Sequence, residues 1–271
     1  MVQRCDLKSL ALEVCHVARR AGEAILEVYC QDFSVAHKHD FSPVTEADMA
    51  AHHEIVKCLD ILTPSIPVLS EEGESVPYAE RHDWEALWLI DPLDGTREFI
   101  KRNGEFTVNI SLIDANKPVL GVVYAPVSGD CYFAYAGGGA YKQSKNGVTV
   151  RIKSRLWDGK HITIARSRAR AENFRRFLAG FASYETIILG SALKSCVVAE
   201  GRADIYARFG PTSEWDTAAA QCIVEEAGGR LMDLDGWSLQ YNKKESLINP
   251  AFIVVGDVNH DWRGYLPSGV I

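Results

Sequence analysis

The sequence predicts an α/β fold, an α+β N-terminal half followed by an α/β C-terminal half, with the boundary near residues 150–160. Three observations predict it. Apolar residues recur at helical spacing over residues 7–62, a period of two takes over between 66 and 135, and helix and strand patterns then alternate towards the C-terminus.

Leu7, Leu10, Val14, Val17, Ala21, Ile25 and Val28 fall on one face of a long amphipathic helix. A short loop ends at Ser42-Pro43. A second helix runs from about Thr45 to Leu62, with Ile55, Leu59 and Leu62 facing inwards. Thr45 suits its N-cap, and Glu46 and Asp48 suit the positive end of the helix dipole. A short strand at 66–69 runs into Ser70-Glu71-Glu72-Gly73, and another at 87–90 runs into Asp91-Pro92-Leu93-Asp94-Gly95-Thr96. Phe106, Val108, Ile110 and Leu112 alternate with Thr107, Asn109 and Ser111, the pattern of a half-buried strand. Strands at 119–124 and 131–135 continue an antiparallel set. Beyond a turn at Gly137-Gly138-Gly139 and a polar stretch over 143–160, helices are predicted at 171–180, 191–200 and 216–227. Strands are predicted near 162–165, 185–189, 203–207 and 252–256. The chain divides as 1–155, which carries most of the candidate metal ligands, and 156–271, which completes a substrate cleft.

The totals narrow the function. With 47% apolar and 24% charged residues, the chain has the composition of a globular protein. Its 29 basic and 36 acidic residues leave a net charge of −7, which argues against a partner such as a nucleic-acid polymer that needs a broad basic face. An anionic small molecule stays compatible, because bound divalent cations reverse the local field. No apolar run approaches bilayer-spanning length. Arg4, Asp6 and Lys8 precede any apolar stretch, so no signal peptide is expected. Seven widely spaced cysteines without a C-x-x-C argue against a disulfide framework or structural zinc. A cytoplasmic setting follows, with peripheral contact to the inner membrane face left open. The apolar faces of the N-terminal helices read as core, or in part as the contact of a homodimer.

The chemistry concentrates in acidic groups at strand ends, where sites are built on a rigid scaffold. In Asp91-Pro92-Leu93-Asp94-Gly95-Thr96 the proline forces extended backbone. Asp91 and Asp94 can then point into one concavity with the Leu93 carbonyl between them. Hard oxygen donors of this kind suit magnesium. Gly95 allows close approach of backbone to an anion, the N–H groups after it can hold a phosphate, and the Thr96 hydroxyl can orient a water. Taken singly, each acidic segment reads first as a solvated turn. The succession Ser70-Glu71-Glu72, Asp91 to Thr96, then Glu214-Trp215-Asp216, each beside an apolar element, favours a metal site.

Other patterns carry less. Ser191-Ala192-Leu193-Lys194 matches S-x-x-K but lacks its companion triplets. His52 and His53, adjacent on a helix, do not face each other. The glycine run at 137–139 has neither dinucleotide-fold nor Walker spacing.

The E-E, D-P-L-D-G-T and W-D segments in this order resemble the signature of the inositol monophosphatase superfamily of metal-dependent, typically lithium-sensitive phosphatases. The sequence is especially similar to its CysQ-type 3′(2′),5′-bisphosphate nucleotidase branch. Matching stretches include Ser42 to Asp48, Val68 to Glu72, Trp88 to Asn109, Leu120 to Pro126, Gly190 to Gly201, Phe209 to Gly228 and Leu247 to Pro250. The resemblance implies a layered αβαβα sandwich of the sugar bisphosphatase type. It implies Glu71, Asp91, the Leu93 carbonyl, Asp94 and Asp216 as ligands of two Mg2+ ions, or three. It makes Asp48, Glu71 and Thr96 catalytic, holding the attacking water for direct phosphoryl transfer with no phosphoenzyme. Substrate contacts would come from Glu71, Leu93, Asp94, Gly95, Thr96, Arg97, Ser191, Lys194 and Asp216.

Two departures stand out. Arg97 replaces the branch's usual lysine, offering a fork in place of a point charge. Ala192 replaces a serine in the usual G-S-S-L-K. The Arg97-Glu98-Phe99 segment favours a phosphorylated nucleotide, adenosine 3′,5′-bisphosphate or its sulfated form, as substrate. The alternative is an inositol or sugar phosphate. A non-catalytic metal or nucleotide sensor would be expected to lack a ligand or the threonine, and every such position is filled.

Overall fold

The computed structural model describes residues 6–37, 43–168 and 172–267. Two antiparallel helices, α1 (Leu7–Tyr29) and α2 (Glu46–Leu62), form the first layer. Between them a small hairpin pairs β1 (Val35–His37) with β2 (Pro43–Thr45). The hairpin was not expected, and the predicted loop residue Ser42 lies outside the described residues.

The second layer is a seven-stranded sheet of β3 (Val68–Ser70), β4 (Ala86–Asp94), β5 (Thr107–Asp114), β6 (Lys117–Ala125), β7 (Asp130–Tyr135), β8 (Gly139–Gln143) and β9 (Thr149–Ile152), in that spatial order. Only the β3–β4 pair is parallel. Short helices α3 (Tyr78–Arg81) and α4 (Thr96–Ile100) lie in its connections. The second sheet holds β10 (Thr163–Arg166), β11 (Glu185–Ile188), β12 (Ile205–Arg208), β13 (Arg230–Asp233) and β14 (Phe252–Val255), in the order β11-β10-β12-β14-β13. Strands β10, β11 and β12 run parallel, and β14 is antiparallel to both its neighbours. Helices α5 (Glu172–Leu178), α6 (Leu193–Ala199) and α7 (Glu214–Glu226) complete the fold.

Side-chain alternation in the strands explains the layering. Trp88 and Ile90 of β4 pack with Val14, Ala18 and Ile55 of α1 and α2, whereas Leu87 and Leu89 pack with Val197 of α6 and Ala219 of α7. The same middle core takes Tyr206, Phe252 and Val254 from the second sheet. The opposite face of that sheet offers Ile164, Ile205 and Ile253 to Phe174 and Phe177 of α5 and to Trp262. Three stacked cores between five layers make an αβαβα sandwich, as the family resemblance implied.

Two expectations need correction. Strand β5 is buried along both faces, not one: Thr107, Asn109 and Ser111 are shielded by the neighbouring layer as fully as the apolar set. The sheet satisfies these polar groups, with Thr107 Oγ1 donating to Asn109 Oδ1 (2.9 Å) and Ser111 Oγ to the Leu120 carbonyl of β6 (2.9 Å). The stretch 143–160 contains an edge strand, β9, whose first three residues are exposed and so carry little apolar signal.

Helix α7 lies close enough to the first sheet to demand small residues. A Cβ on Gly121 of β6 would sit 2.3 Å from the Ala219 carbonyl oxygen, and Ala218, Ala219 and Ala220 are all buried. A Gly121→Ala substitution is therefore expected to lower unfolding free energy by about 1–3 kcal/mol through forced separation of the layers. Denaturant titration checks this, and an unchanged midpoint would contradict the close approach.

Candidate active site

Four separate chain segments bring carboxylates to one place, each through a local rule. Thr45 caps α2, and Asp48 at the third helical position closes a capping box: its Oδ2 accepts from the Thr45 amide and hydroxyl, both at 2.7 Å. The start of α7 repeats the device, with Ser213 as cap and Asp216 Oδ2 accepting from the Ser213 amide at 2.8 Å. Both acids sit in a first helical turn, where the dipole favours their charge. The segment after β3 is tied to β4 by Glu71 N–H donating to the Ile90 carbonyl (3.2 Å), which sets Glu71 beside the end of that strand.

The Asp91 and Asp94 arrangement depends on a β-bulge. Asp91 pairs with Asn109 and Asp94 with Thr107, so β4 takes three steps where β5 takes two. In a regular strand residues three apart point to opposite faces, and the extra residue shifts the alternation by one. Pro92 falls within the bulge, where a missing N–H breaks no ladder. The Leu93 amide donates back to Asp91 Oδ1 (3.1 Å), and the Leu93 carbonyl accepts from Thr96 Oγ1 (3.4 Å). Gly95, with φ of +95°, turns the chain into α4.

Oxygen atoms of Glu71, Asp91 and Asp216 all lie within 4.8 Å of one another. Asp91 is fully enclosed and its Oδ2 has no hydrogen-bond donor. Burial, then the charges of Glu71, Asp94, Asp216 and Asp48, push its pKa well above the usual carboxylate range. Asp216 is raised to about 7 by burial and the nearby Asp94. Asp94 is raised by burial, partly countered by Lys194 and by Asn109 Nδ2, which donates to Asp94 Oδ2 at 3.3 Å. Like charges crowded this closely, with one oxygen unpartnered, fit a divalent cation held by hard oxygen donors. Beside them Thr96 Oγ1 donates to Asp48 Oδ1 (3.2 Å), so the two oxygens of Asp48 serve the helix cap and the site separately.

A cavity of about 300 Å³ opens from Asp94 and Asp216 towards the second sheet. The predicted residues Gly95, Arg97, Ser191 and Lys194 line it. Lys194 is buried, which lowers its pKa, and Asp94 opposes that shift. Its Nζ donates to the Ser191 carbonyl (2.5 Å) and not to the hydroxyl, so the S-x-x-K pattern forms no serine–lysine pair. Ser191 adopts φ of +47°, and its buried Oγ has no partner. Three further cations on the wall escaped the sequence reading: Lys101, Arg168 and Arg208. Arg208 ends β12 just before Phe209-Gly210-Pro211-Thr212, which was the only available pointer to it.

Two other signals find structural roles. His52 Nδ1 lies 2.8 Å from Ser70 Oγ, linking α2 to the segment that carries Glu71. Asn249, within the Leu-Ile-Asn-Pro stretch, donates from Nδ2 to the Ser213 carbonyl (2.6 Å) and Thr217 Oγ1 (3.0 Å), fixing the start of α7. Among the described residues the cysteines are free thiols. No described helix is long and apolar enough to cross a membrane.

Residues 6–262 match the Inositol monophosphatase family. The chain belongs to that family. Among curated family members, 3′(2′),5′-bisphosphate nucleotidase CysQ of Escherichia coli O157:H7 is 50% identical over 244 residues, covering 89% of this chain and 98% of its own. The protein of the same name from Aggregatibacter actinomycetemcomitans is 41% identical over 260 residues, covering 90% of this chain and 92% of its own. Among solved structures, CysQ from Bacteroides thetaiotaomicron, a bacterial member of the inositol monophosphatase family, superposes with a TM-score of 0.81 at 42% identity. That match covers 92% of this chain and 97% of the other.

The crowded carboxylates make a pH prediction for the cation-free protein. Folded Asp216 keeps its proton up to about pH 7, whereas the unfolded chain releases it near 3.8. The folded state binds more protons across that window, so stability falls as pH rises through it. With chelator present, the thermal midpoint is expected to drop by roughly 5 °C between pH 5 and pH 8. Added magnesium should restore it at pH 8, and an Asp216→Asn variant should flatten the slope. A midpoint indifferent to both pH and cation would contradict the electrostatics.

Proposed function

We propose that this chain is a magnesium-dependent 3′(2′),5′-bisphosphate nucleotidase, which removes the 3′-phosphate of adenosine 3′,5′-bisphosphate to give AMP and phosphate. The observation that carries this reading is the Glu71, Asp91 and Asp216 oxygen cluster, whose Asp216 also lines a cleft walled by Arg97, Lys101, Arg168, Lys194 and Arg208. A doubly phosphorylated substrate matches that concentration of positive charge. The names of the relatives support the same choice. The sulfated nucleotide shares the anionic groups and belongs to the same substrate class.

Glu71, Asp91, Asp94, Asp216 and the Leu93 carbonyl would hold two Mg2+ ions, or three. Bound there, the cations supply charge neutralisation for phosphoryl oxygens and make an attacking water more acidic. The remaining work falls to the chain. Asp48 Oδ1, its partner oxygen committed to the α2 cap, accepts a proton from the attacking water through Thr96 Oγ1. Water oxygen bonds to phosphorus as the P–O3′ bond breaks, with no phosphoenzyme, and the departing 3′-oxygen takes a proton from solvent to become the hydroxyl of AMP. Arg97, Lys194 and the Ser191 hydroxyl hold the substrate, and the Gly95-Thr96 backbone turns towards the transferred group.

On this reading the N-terminal unit (1–155) carries most cation ligands, and the C-terminal unit (156–271) contributes Asp216 and the cleft wall. A cytoplasmic location fits the substrate.

Phosphate release from adenosine 3′,5′-bisphosphate, its sulfated form and inositol 1-phosphate, with and without magnesium, tests the assignment. The nucleotides should be preferred, with no turnover under chelation. Preference for the inositol ester would replace the nucleotide reading. An Asp91→Asn variant should lose turnover by orders of magnitude while remaining folded, as judged by circular dichroism, and near-normal turnover would remove Asp91 from the site.

A further inference from the structure

Glu105 has no place in the chemistry above, yet it touches both halves of the cleft. It lies two residues before β5 and is anchored by Phe106, which packs into an aromatic cluster with Tyr29 and Phe99. Its carboxylate reaches across to the second sheet. Oε1 accepts from Arg168 Nη2 (2.8 Å), and Oε2 accepts from Arg168 Nη1 and from the Gly190 amide (2.8 Å). Arg168 follows β10 and Gly190 follows β11, so one carboxylate ties together the ends of two parallel strands.

The backbone of Glu105 is equally constrained. A Cβ on Gly190 would lie 2.5 Å from the Glu105 carbonyl oxygen, and one on Gly95 would lie 3.4 Å from the same atom. Residue 105 is thus wedged between the Asp94-Gly95-Thr96 turn and the Gly190-Ser191 turn. The second turn is held in an unfavourable conformation, φ of +47° at Ser191, from which Lys194 receives its carbonyl partner. Burial and ion pairing are consistent with a fixed charge. Only a fifth of the Glu105 side chain is exposed, against almost half of the Arg168 side chain, and Arg168 lowers the Glu105 pKa. A bidentate pair of this kind fixes the plane of the guanidinium as well as its position.

We propose that Glu105 is a positioning residue that sets affinity for the nucleoside-bearing part of the substrate, by fixing Arg168 and the 190–194 turn relative to the catalytic turn. The inference rests on the nucleotidase reading. Glu105 itself touches neither the carboxylate cluster nor the attacking water. Neutralising it should release the Arg168 fork and loosen the Gly190 amide, so that Ser191 and Lys194 meet the substrate less well. The cation ligands are fixed by other devices, the β4 bulge, the Glu71–Ile90 backbone tie and the Asp216 capping box, in which the Glu105 side chain takes no part.

The test compares wild type with Glu105→Gln on adenosine 3′,5′-bisphosphate and on p-nitrophenyl phosphate, a monoester without a nucleoside. The nucleotide KM should rise about tenfold or more, the scale of a lost charged hydrogen bond, with kcat little changed. The ratio of kcat/KM for nucleotide over p-nitrophenyl phosphate should fall by the same factor. The magnesium concentration for half-maximal activity should not move. An unchanged nucleotide KM overturns the proposal, as does an equal loss on both substrates with a lowered thermal midpoint, the mark of a purely structural pin. Arg168→Gln provides a second variant, and it should reproduce the rise in nucleotide KM; a wild-type KM there overturns the proposal even if the Glu105 variant does not fold. Wild-type protein inactive on the nucleotide but active on p-nitrophenyl phosphate would overturn the nucleotidase reading and this inference with it.

Discussion

The structure is organised around mutual repulsion among Glu71, Asp91, Asp94 and Asp216. Each of these groups would be better solvated apart, and Asp91 is sealed from water altogether. The chain holds them together with ordinary backbone devices: a bulge in β4, a strand end tied to its neighbour, and the cap of α7. None of these devices neutralises the charge. What they supply is a fixed geometry whose electrostatic deficit only a cation or a proton can relieve.

The sandwich explains how such distant segments stay in register. Asp91 and Asp94 lie at the end of β4, beside the edge strand β3 of the first sheet, while Asp216 begins a helix packed between the sheets. The position of Asp216 therefore depends on how close α7 lies to β6, which the Gly121–Ala219 approach sets. Asn249 and the loop around it hold the start of the same helix from the opposite side. Packing tens of residues from the carboxylates in sequence thus determines their spacing.

Much of this was legible from residues alone. The helical period of α1 and the Thr45 cap carry local physical signatures, whereas the acidic segments read singly as turns, and their succession together with the family resemblance pointed to one acidic cluster. What escaped had no such signature. The β4 bulge is a mismatch between two strands, visible only once Asp91 faces Asn109 and Asp94 faces Thr107. Strand β9 exposes most of its side chains, so burial never imprinted an alternating pattern on it. Thr107, Asn109 and Ser111 looked solvent-facing because polar residues usually are; a neighbouring layer and internal hydrogen bonds override that expectation. Lys101, Arg168 and Arg208 converge from three elements on one wall, and Glu105 matters only through what lies across the cleft.

The double duty of Asp48 and Asp216 has an evolutionary corollary. Each carboxylate serves a capping box and the site at once: Asp48 Oδ1 accepts from Thr96 while Oδ2 caps α2, and Asp216 caps α7 while offering an oxygen to the acidic cluster. Exchanging carboxylate for amide at either position would leave an acceptor for the cap while abolishing the negative charge. A single nucleotide change can thus yield a well-folded but inert chain, free to drift towards recognition without turnover. Scaffolds built this way are predisposed to spawn silent paralogues.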